Sequence, residues 1–232
     1  CLILGEKIGQ MNPLTRRKIS LLIEGHVQYQ FMTIEQIERF YSRFYPNWKR
    51  EAYYELMSRL KVAPHQRINR MSCGQRSQVA LGLILAQDAE VLVLDDFSLG
   101  LDPGYRRLFV DYMREYAKAE NKTVFLTSHI IQDMERLIDD CIIMDYGKIL
   151  VQMPVAELLG KFRRYTTQVE ADFKLKDTEG IYNPSVIRSS MELFSMLPEE
   201  EVRARLAAHG VGNLSVERVG LEDAFIGLTG KY

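Results

Sequence analysis

A short apolar run that ends in two carboxylates is the feature that most constrains the fold of this chain. Residues 91–94 are all apolar, and Asp95 and Asp96 follow them directly. A short apolar run without polar alternation is typical of a strand that is buried on both faces of a parallel sheet. Open parallel sheets place their ligands at the carboxyl ends of the strands. The sequence therefore predicts an α/β fold whose candidate site lies where Asp95 and Asp96 leave the sheet.

Composition and charge argue against several classes of protein. The chain has 232 residues, of which 47% are apolar, and a formal net charge of −1. That charge argues against a nucleic-acid binder held by bulk positive charge. No apolar run approaches the roughly 18 residues that a membrane-spanning helix needs. The three cysteines are far apart in the sequence and predict neither a zinc site nor a disulfide framework.

A helical insert is predicted between the first strand and the carboxylate strand. Residues 19–23 form a short apolar run that predicts a strand. Apolar residues then recur at helical spacing over 33–60, and Pro46 interrupts the pattern. A third helix is expected after Ser72 and Gly74.

Strands and helices alternate after the insert, which predicts a parallel sheet. A turn is expected at Tyr146-Gly147, and Pro154 fits the first turn of a short helix. The predicted elements are strands at 91–94, 123–126, 141–145 and 167–173, and helices at 106–119, 131–138 and 198–209.

Four motifs stand in the order and spacing found in the ATP-binding subunits of bacterial ABC transporters. Residues 71–75 resemble the signature loop, and 91–96 resemble the Walker B strand. Residues 98–103 resemble the D-loop, and His129 resembles the switch histidine. The resemblance covers roughly residues 5–160. Residues 221–230 in addition resemble the C-terminal tail of bacterial exporter ATPases.

The resemblance implies a RecA-like P-loop NTPase core with a mostly parallel sheet, an ABC helical subdomain and a small C-terminal α+β accessory domain. The expected division is 1–23 for the first part of the core and 24–88 for the Q-loop and helical subdomain. Residues 89–162 would complete the core, and 163–232 would form the accessory domain.

The resemblance also implies an ATPase that uses ATP and Mg2+ and works at the cytoplasmic face of the bacterial inner membrane. Its expected partners are separate membrane permease subunits and a second ATP-binding subunit, in a homodimer or a heterodimer. No nucleic-acid partner is expected. Six aromatic residues lie in and around the helical insert; most are expected in the core and some in a groove for a short permease helix. They are Tyr29, Phe31, Tyr41, Phe44, Tyr45 and Trp48.

Four residues are implied in metal binding and catalysis. The resemblance assigns Asp95 to Mg2+, usually through water, and Glu24 to the same metal at the position of the family's Q-loop glutamine. Asp96 occupies the position of the family's catalytic glutamate. His129 occupies the position of the histidine that contacts the γ-phosphate. The structural alternatives are a turn-capping Asp95, a solvated loop acid at Glu24 and a histidine that merely ends a strand.

Five further residues are implied in contacts with a nucleotide held by the other subunit. Ser72, Cys73, Gly74 and Gln75 belong to the signature loop, and Asp102 belongs to the D-loop. A hydroxyl and backbone N–H groups at a helix start can bind an anionic phosphate. The alternatives are an ordinary helix N-cap at Ser72 and an Asp-Pro helix start at Asp102.

Four positions depart from the family pattern. Glu24 replaces glutamine, Cys73 replaces glycine, Asp96 is one methylene shorter than glutamate, and Phe97 replaces proline. Together they favour weak ATPase activity, or a catalytically degenerate regulatory or structural subunit in a heterodimer. A soluble ABC ATPase that acts on ribosomes or DNA is disfavoured by the near-neutral charge.

The phosphate loop of the family, G-x-x-x-x-G-K-[ST], does not occur in the sequence. Its Gly-Lys pairs, at 147–148, 160–161 and 230–231, are followed by Ile, Phe and Tyr. In the family this loop lies upstream of the position where the chain begins. An N-terminally incomplete sequence is therefore expected, and a natural protein without the loop is the alternative.

The absence of this loop from residues 1–232 generates a prediction. A polypeptide of these residues alone should bind MgATP weakly or not at all, because it has carboxylates and a signature loop but no cradle for the phosphates. Isothermal titration calorimetry measures this directly, and submicromolar binding would contradict it.

Overall fold

The computed structural model describes residues 1–23, 29–59, 61–97, 101–132, 134–175 and 178–230. It divides into two compact units, 1–130 and 131–232. The strands of the first unit are β1 Leu2–Ile3, β2 Glu6–Lys7, β3 Ile19–Leu22, β4 Val91–Asp95 and β5 Thr123–Thr127. Its helices are α1 Pro13–Arg16, α2 Ile34–Tyr41, α3 Arg50–Arg59, α4 Cys73–Ala86 and α5 Pro103–Ala119.

A three-stranded parallel sheet forms the centre of the first unit. Its order is β3-β4-β5, so the strand before the carboxylates has a neighbour on each side. The register sets Leu94 beside Leu22 on one side and beside Leu126 on the other. Leu92 and Leu94 are fully buried, which is why the apolar run of β4 occupies the middle position.

Helix α4 is the most buried helix of the first unit, and it packs against β3 and α3. Every residue from 77 to 86 is buried. The helix begins with a capping box in which Ser72 Oγ accepts from the Gln75 amide and Gln75 Oε1 accepts from the Ser72 amide. Such a reciprocal pair satisfies two of the N–H groups that a helix start leaves without partners.

The break predicted at Pro46 is confirmed, because α2 ends before it and α3 begins after it. The two helices are joined through Glu38, a buried carboxylate of α2. Trp48 donates its indole N–H to Glu38 Oε1 at 2.9 Å, and the Tyr54 hydroxyl lies 3.4 Å from Oε2. A buried acid is stable only with such partners.

Four predictions differ from the structure. The strand predicted at 141–145 pairs antiparallel with 148–154 in a hairpin instead of joining the parallel sheet. Helix α5 begins at Pro103 rather than at 106, because Asp102 caps it and proline suits the first helical position. The helix predicted at 131–138 is wrong: its described part forms a single 3-10 turn, Met134–Arg136. Helix α2 is equally short, but it begins with a capping box, and no such cap is found among the described residues before the turn at Met134–Arg136. The strand predicted at 167–173 instead ends at Gln168.

The second unit contains an antiparallel hairpin and a separate antiparallel sheet. Its strands are β6 Asp140–Asp145, β7 Lys148–Pro154, β8 Arg163–Gln168, β9 Ile181–Ile187, β10 Ser190–Ser195 and β11 Ser215–Arg218. Its helices are α6 Val155–Lys161, α7 Glu199–Ala207 and α8 Leu221–Thr229. Strands β6 and β7 form the hairpin, and the sheet has the order β11-β8-β10-β9. Tyr165, Leu193 and Val202 lie in one hydrophobic core of this unit.

The predicted domain boundaries stay predictions. The contacts of the structure divide the chain after residue 130. In the described part of the chain, no helix combines the length and apolar character needed to cross a bilayer.

Asp88, just after α4, joins three parts of the first unit through ion pairs. Its Oδ1 lies 2.7 Å from Lys122 Nζ and 3.1 Å from Lys49 Nζ, and Lys49 also pairs with Glu120 at 2.9 Å. Burial alone would raise the pKa of the Asp88 carboxyl, but the hydrogen bonds from Lys122 and Lys49 outweigh burial and lower it. The network therefore stabilises the fold when Asp88 is ionised.

Replacing Asp88 with asparagine should lower the free energy of unfolding by roughly 1–2 kcal/mol at neutral pH. Since the folded pKa is lowered, the stabilisation is present above the unfolded pKa of about 4 and is lost as the pH falls through the folded value. Urea denaturation at neutral pH and in acid should show the difference between Asp88→Asn and the parent shrinking in acid.

Glu90→Gln is the matched control, because it also converts an ion-paired acid to its amide. The pair of Glu90 with Lys18 is about half exposed on both sides, and exposed pairs contribute little. An equal loss of stability in the two variants, or a difference that persists in acid, would contradict the role of Asp88.

Candidate functional site

The sheet brings Asp95 and Thr127 together at its carboxyl edge. They are the last residues of β4 and β5 and are paired in the parallel register. The Thr127 hydroxyl donates to Asp95 Oδ1 at 2.5 Å. The same hydroxyl accepts from the Asp96 amide at 3.1 Å, and the Thr127 carbonyl also accepts from that amide at 3.2 Å. Thr127 thus positions both carboxylate residues.

Asp96 has a backbone conformation that is uncommon for a residue with a side chain. Its φ is +43°, in the left-handed region that Asp and Asn enter more readily than most residues. A residue in this region turns the chain sharply as it leaves the strand. Phe97 follows, is fully buried, and places its ring 4.5 Å from the ring of Phe109 in α5. Phe97, which departs from the family pattern, therefore packs against α5, and the sequence did not reveal this contact.

His129 and Asp96 are in direct contact. His129 Nδ1 lies 2.7 Å from Asp96 Oδ2, with the histidine side chain largely exposed and the aspartate side chain largely buried. A carboxylate can only accept here, so Nδ1 carries the proton. A neutral His129 ring would then have a free lone pair on Nε2, while a charged ring would donate from both nitrogens.

The other oxygen of Asp96 lies in a different environment. Oδ1 is buried and has no hydrogen-bond partner among the described residues. Buried polar atoms normally have a partner in protein or water, so an unpartnered carboxylate oxygen is a natural acceptor for a bound water or a metal-bound water. No group of three or more His, Cys, Asp or Glu residues that could hold a metal ion by itself occurs in the described chain.

The carboxylates nevertheless fit Mg2+. This ion keeps several of its waters and is typically held by one or two carboxylates together with substrate phosphates. Asp95 is exposed at the edge of the sheet, and Asp96 Oδ1 is the unpartnered oxygen next to it. Glu24, the second predicted metal ligand, lies outside the described residues.

The signature-loop residues form a local arrangement of their own. Ser72 and Gln75 bond to each other's backbone in the capping box. Cys73 is exposed, and its carbonyl accepts from the Ser77 hydroxyl at 3.2 Å. The structural alternative for Ser72, an ordinary N-cap, is therefore present in the structure. The nucleotide contacts implied for these residues and for Gly74 stay predictions.

Asp102 likewise caps a helix. Its Oδ1 accepts from the amides of Gly104 and Tyr105, at 3.1 and 3.2 Å. This is the Asp-Pro helix start that the sequence left open beside a D-loop role. Residues 98–100 of the predicted D-loop lie outside the described residues.

Sequence reasoning missed Thr127 as a site residue. It lies two positions before His129, and its role depends on which strand lies next to β4 and in which register. The available signal was a hydroxyl residue at the end of the next predicted strand, level with Asp95. Neither the order of the strands nor their register follows from a local pattern.

A family model described as "AAA domain, putative AbiEii toxin, Type IV TA system" matches residues 34–132. The Nod factor export ATP-binding protein I of Rhizobium sp. (strain N33) is 27% identical over 240 residues, covering 99% of this chain and 78% of that protein. The ABC transporter ATP-binding protein YhcH of Bacillus subtilis (strain 168) is 24% identical, covering 99% of this chain and 77% of that protein.

A solved structure of the ATP-binding subunit of an ABC transporter is similar in fold. Its TM-score is 0.59 at 22% sequence identity, and the match covers 67% of each chain. Together with the parallel sheet of the first unit, this likeness confirms the predicted α/β fold class.

The contact between His129 and Asp96 predicts the tautomer of the ring. At alkaline pH, where imidazole rings are neutral, the proton of His129 should reside on Nδ1. The 15N chemical shifts of the two ring nitrogens report this in an NMR spectrum of the labelled protein. Asp96→Ala removes the acceptor and should move the proton toward Nε2.

Asp111→Ala is the control, because it removes an equal charge from an exposed aspartate of α5 that takes no part in this contact. Its ring shifts should match those of the parent protein. Identical shifts in the parent and in Asp96→Ala would show that the hydrogen bond is absent in solution.

Proposed function

Because this chain is a relative of ABC transporter ATP-binding proteins over nearly its whole length, we propose that it is an ATP-binding and ATP-hydrolysing subunit that drives a separate membrane permease. The observation that carries the proposal is the cluster of Asp95, Asp96, Thr127 and His129 at the carboxyl edge of the parallel sheet. Such edges are where open α/β sheets bind their ligands.

Each member of the cluster has a role in this proposal. Asp95 would hold Mg2+, and Thr127 fixes the orientation of its carboxylate through the bond to Oδ1. Asp96 orients the attacking water, for which its buried and unpartnered Oδ1 is suited. His129 contacts the terminal phosphate. Positioning and electrostatics of this kind supply most of the catalysis in phosphoryl transfer.

The contact between Asp96 and His129 limits what the site can do at one time. Asp96 Oδ2 is engaged by Nδ1, so the carboxylate meets a water through Oδ1 while it holds the histidine with Oδ2. A charged ring can donate from Nε2 to a phosphate oxygen, whereas a neutral ring protonated on Nδ1 cannot. In this proposal His129 therefore binds the phosphate as a charged ring.

The start of α4 would act on a nucleotide held by a second subunit. Ser72 Oγ is engaged by the Gln75 amide, so the first N–H groups of the helix, those of Cys73 and Gly74, are the donors left for a phosphate. Asp102 would lie at the same subunit contact. The resulting dimer would contain two copies of this chain or one copy and a related subunit.

Closure of the dimer on ATP would be transmitted to the permease by the helical insert of α2, α3 and α4. The proposed location is the cytoplasmic face of the bacterial inner membrane, with the chain held there as a peripheral subunit. No nucleic-acid partner is proposed, in keeping with the net charge of −1.

A second candidate function is that of a degenerate subunit that regulates or supports a more active partner. The geometry of Asp96 favours it. Its side chain is one methylene shorter than that of glutamate, and its Oδ2 lies 2.7 Å from His129 Nδ1. A displacement of about 1 Å from the productive position can reduce a rate on the order of 10²-fold.

Substitution of Asp96 by glutamate distinguishes the two functions. If the chain is a degenerate subunit because Asp96 is one methylene too short, its turnover of MgATP should lie near background and should rise roughly tenfold or more in Asp96→Glu, because the carboxylate then reaches the attacking water. A hydrolytic subunit should release phosphate well above background with Asp96 in place. Phosphate release from the natural gene product, purified with and without its permease, measures this. Asp95→Asn should abolish release, since it weakens the binding of Mg2+.

Asp111→Glu adds the same methylene to an exposed aspartate of α5 and should leave turnover unchanged. Phosphate release that survives Asp95→Asn would refute the assigned site. Release well above background with Asp96 in place would favour the hydrolytic subunit, and release that appears only in Asp96→Glu would favour the degenerate one.

A further inference from the structure

The backbone bonds of Asp96 hold it on one side only. Its amide donates to the hydroxyl and to the carbonyl of Thr127, at 3.1 and 3.2 Å. These bonds fix the chain where it enters the residue. The direction of the side chain also depends on where the chain leaves the residue, because each residue has two rotatable backbone dihedrals. Since a φ of +43° persists in a residue with a side chain only where the surroundings hold it, a second restraint is needed beyond Asp96.

The histidine in contact with Asp96 does not supply that restraint. The side chain of His129 is 60% exposed, whereas that of Asp96 is 16% exposed. An exposed ring has fewer packing contacts to fix it than a carboxylate that is largely enclosed. The aspartate therefore orients the histidine across their 2.7 Å contact, rather than the reverse.

The next residue, Phe97, packs against a helix that has anchors of its own. Phe97 is 2% exposed, and its ring lies 4.5 Å from the ring of Phe109, with an angle of 45° between the ring planes. Phe109 belongs to α5, and Val110 and Met113 of the same helix are also buried. The pair of rings thus links the turn at Asp96 to a helix whose position does not depend on that turn.

A proline at position 97 would not permit this arrangement. The ring of a proline pushes the residue before it toward extended backbone, which has a negative φ. With Phe97 in this place, Asp96 is free to adopt its positive φ, and the restraint has to come from packing. The departures from the family pattern at positions 96 and 97 are therefore parts of one arrangement.

We propose that Phe109 is a positioning residue for Asp96 and acts through the ring of Phe97. By holding Phe97, it keeps Asp96 Oδ2 on His129 and keeps Oδ1 in its buried place. Loss of the Phe109 ring lets Asp96 relax toward an ordinary φ and releases the histidine. The relevance to hydrolysis rests on the proposed function, in which Oδ1 orients the attacking water, but the positioning itself needs no nucleotide.

The tautomer of His129 reports the position of Asp96 in the chain without nucleotide. Phe109→Leu removes the ring and keeps a buried apolar side chain. At alkaline pH, the ratio of rings protonated on Nδ1 to rings protonated on Nε2 should fall roughly fivefold or more, the factor that a hydrogen bond of ordinary strength contributes. The 15N shifts of the labelled chain give this ratio. The chain has four histidines, and the signals of His129 are those that disappear in His129→Gln.

Met113→Ala is the control for a purely structural effect. Met113 is fully buried about one turn further along α5. Its truncation should lower the stability in urea at least as much as Phe109→Leu does, because it removes more buried atoms. The tautomer ratio of His129 should nevertheless stay at the parent value. A parent ratio in Phe109→Leu, or an equal fall in Met113→Ala, would overturn the positioning role.

A double-mutant cycle tests the route through Phe97. Phe97→Leu should lower the ratio as Phe109→Leu does, and the variant with both changes should lower it no further, because either change alone removes the contact between the rings. Effects that multiply in the double variant would refute this route. A failed phosphate-release assay counts against the proposed hydrolysis alone, whereas an unchanged tautomer ratio in Phe109→Leu counts against the role of Phe109 alone.

Discussion

The parallel pairing of β4 with β5 is the constraint on which the candidate site depends. Leu92 and Leu94 are buried, and a slip of one residue would turn them to the opposite face, so the register is strongly specified. That register alone brings Asp95 level with Thr127. The polar residues that bear the chemistry are therefore positioned by apolar residues that take no part in it.

The unusual conformation of Asp96 is held from both sides. Its amide donates to the hydroxyl and to the carbonyl of Thr127, and the next residue, Phe97, is buried against Phe109. Uncommon backbone conformations persist where several contacts hold them in place, and they are concentrated at functional sites. Proline, the family's usual residue at this position, would restrict the backbone by its ring. Phe97 instead restricts it by packing its side chain against Phe109. The turn that aims Asp96 at His129 rests on that anchor.

Local patterns predicted the parts of this molecule that local physics decides. The apolar run of β4, the break at Pro46 and the strand-end location of Asp95 and Asp96 follow from periodicity and from the chemistry of single residues. The role of Thr127 and the contact between Asp96 and His129 depend on strand order, register and one positive φ, none of which a single sequence displays. The helix predicted at 131–138 shows the opposite limit, because an apolar pattern of helical period does not by itself make a helix. At Ser72 and Asp102 the helix caps are present, and a cap does not exclude a second role.

The turn before α4 and the signature loop share one stretch of backbone. Arg70 is separated from Ser72 only by Met71, which is buried, and Ile68 anchors the other side of the same turn. Arg76 of α4 donates back to the Met71 carbonyl at 3.0 Å, so the turn and the first part of the helix are tied together. Packed interiors transmit displacements rather than absorb them. A displacement of this turn would therefore reach the start of α4, where the proposed contact with a partner's nucleotide lies.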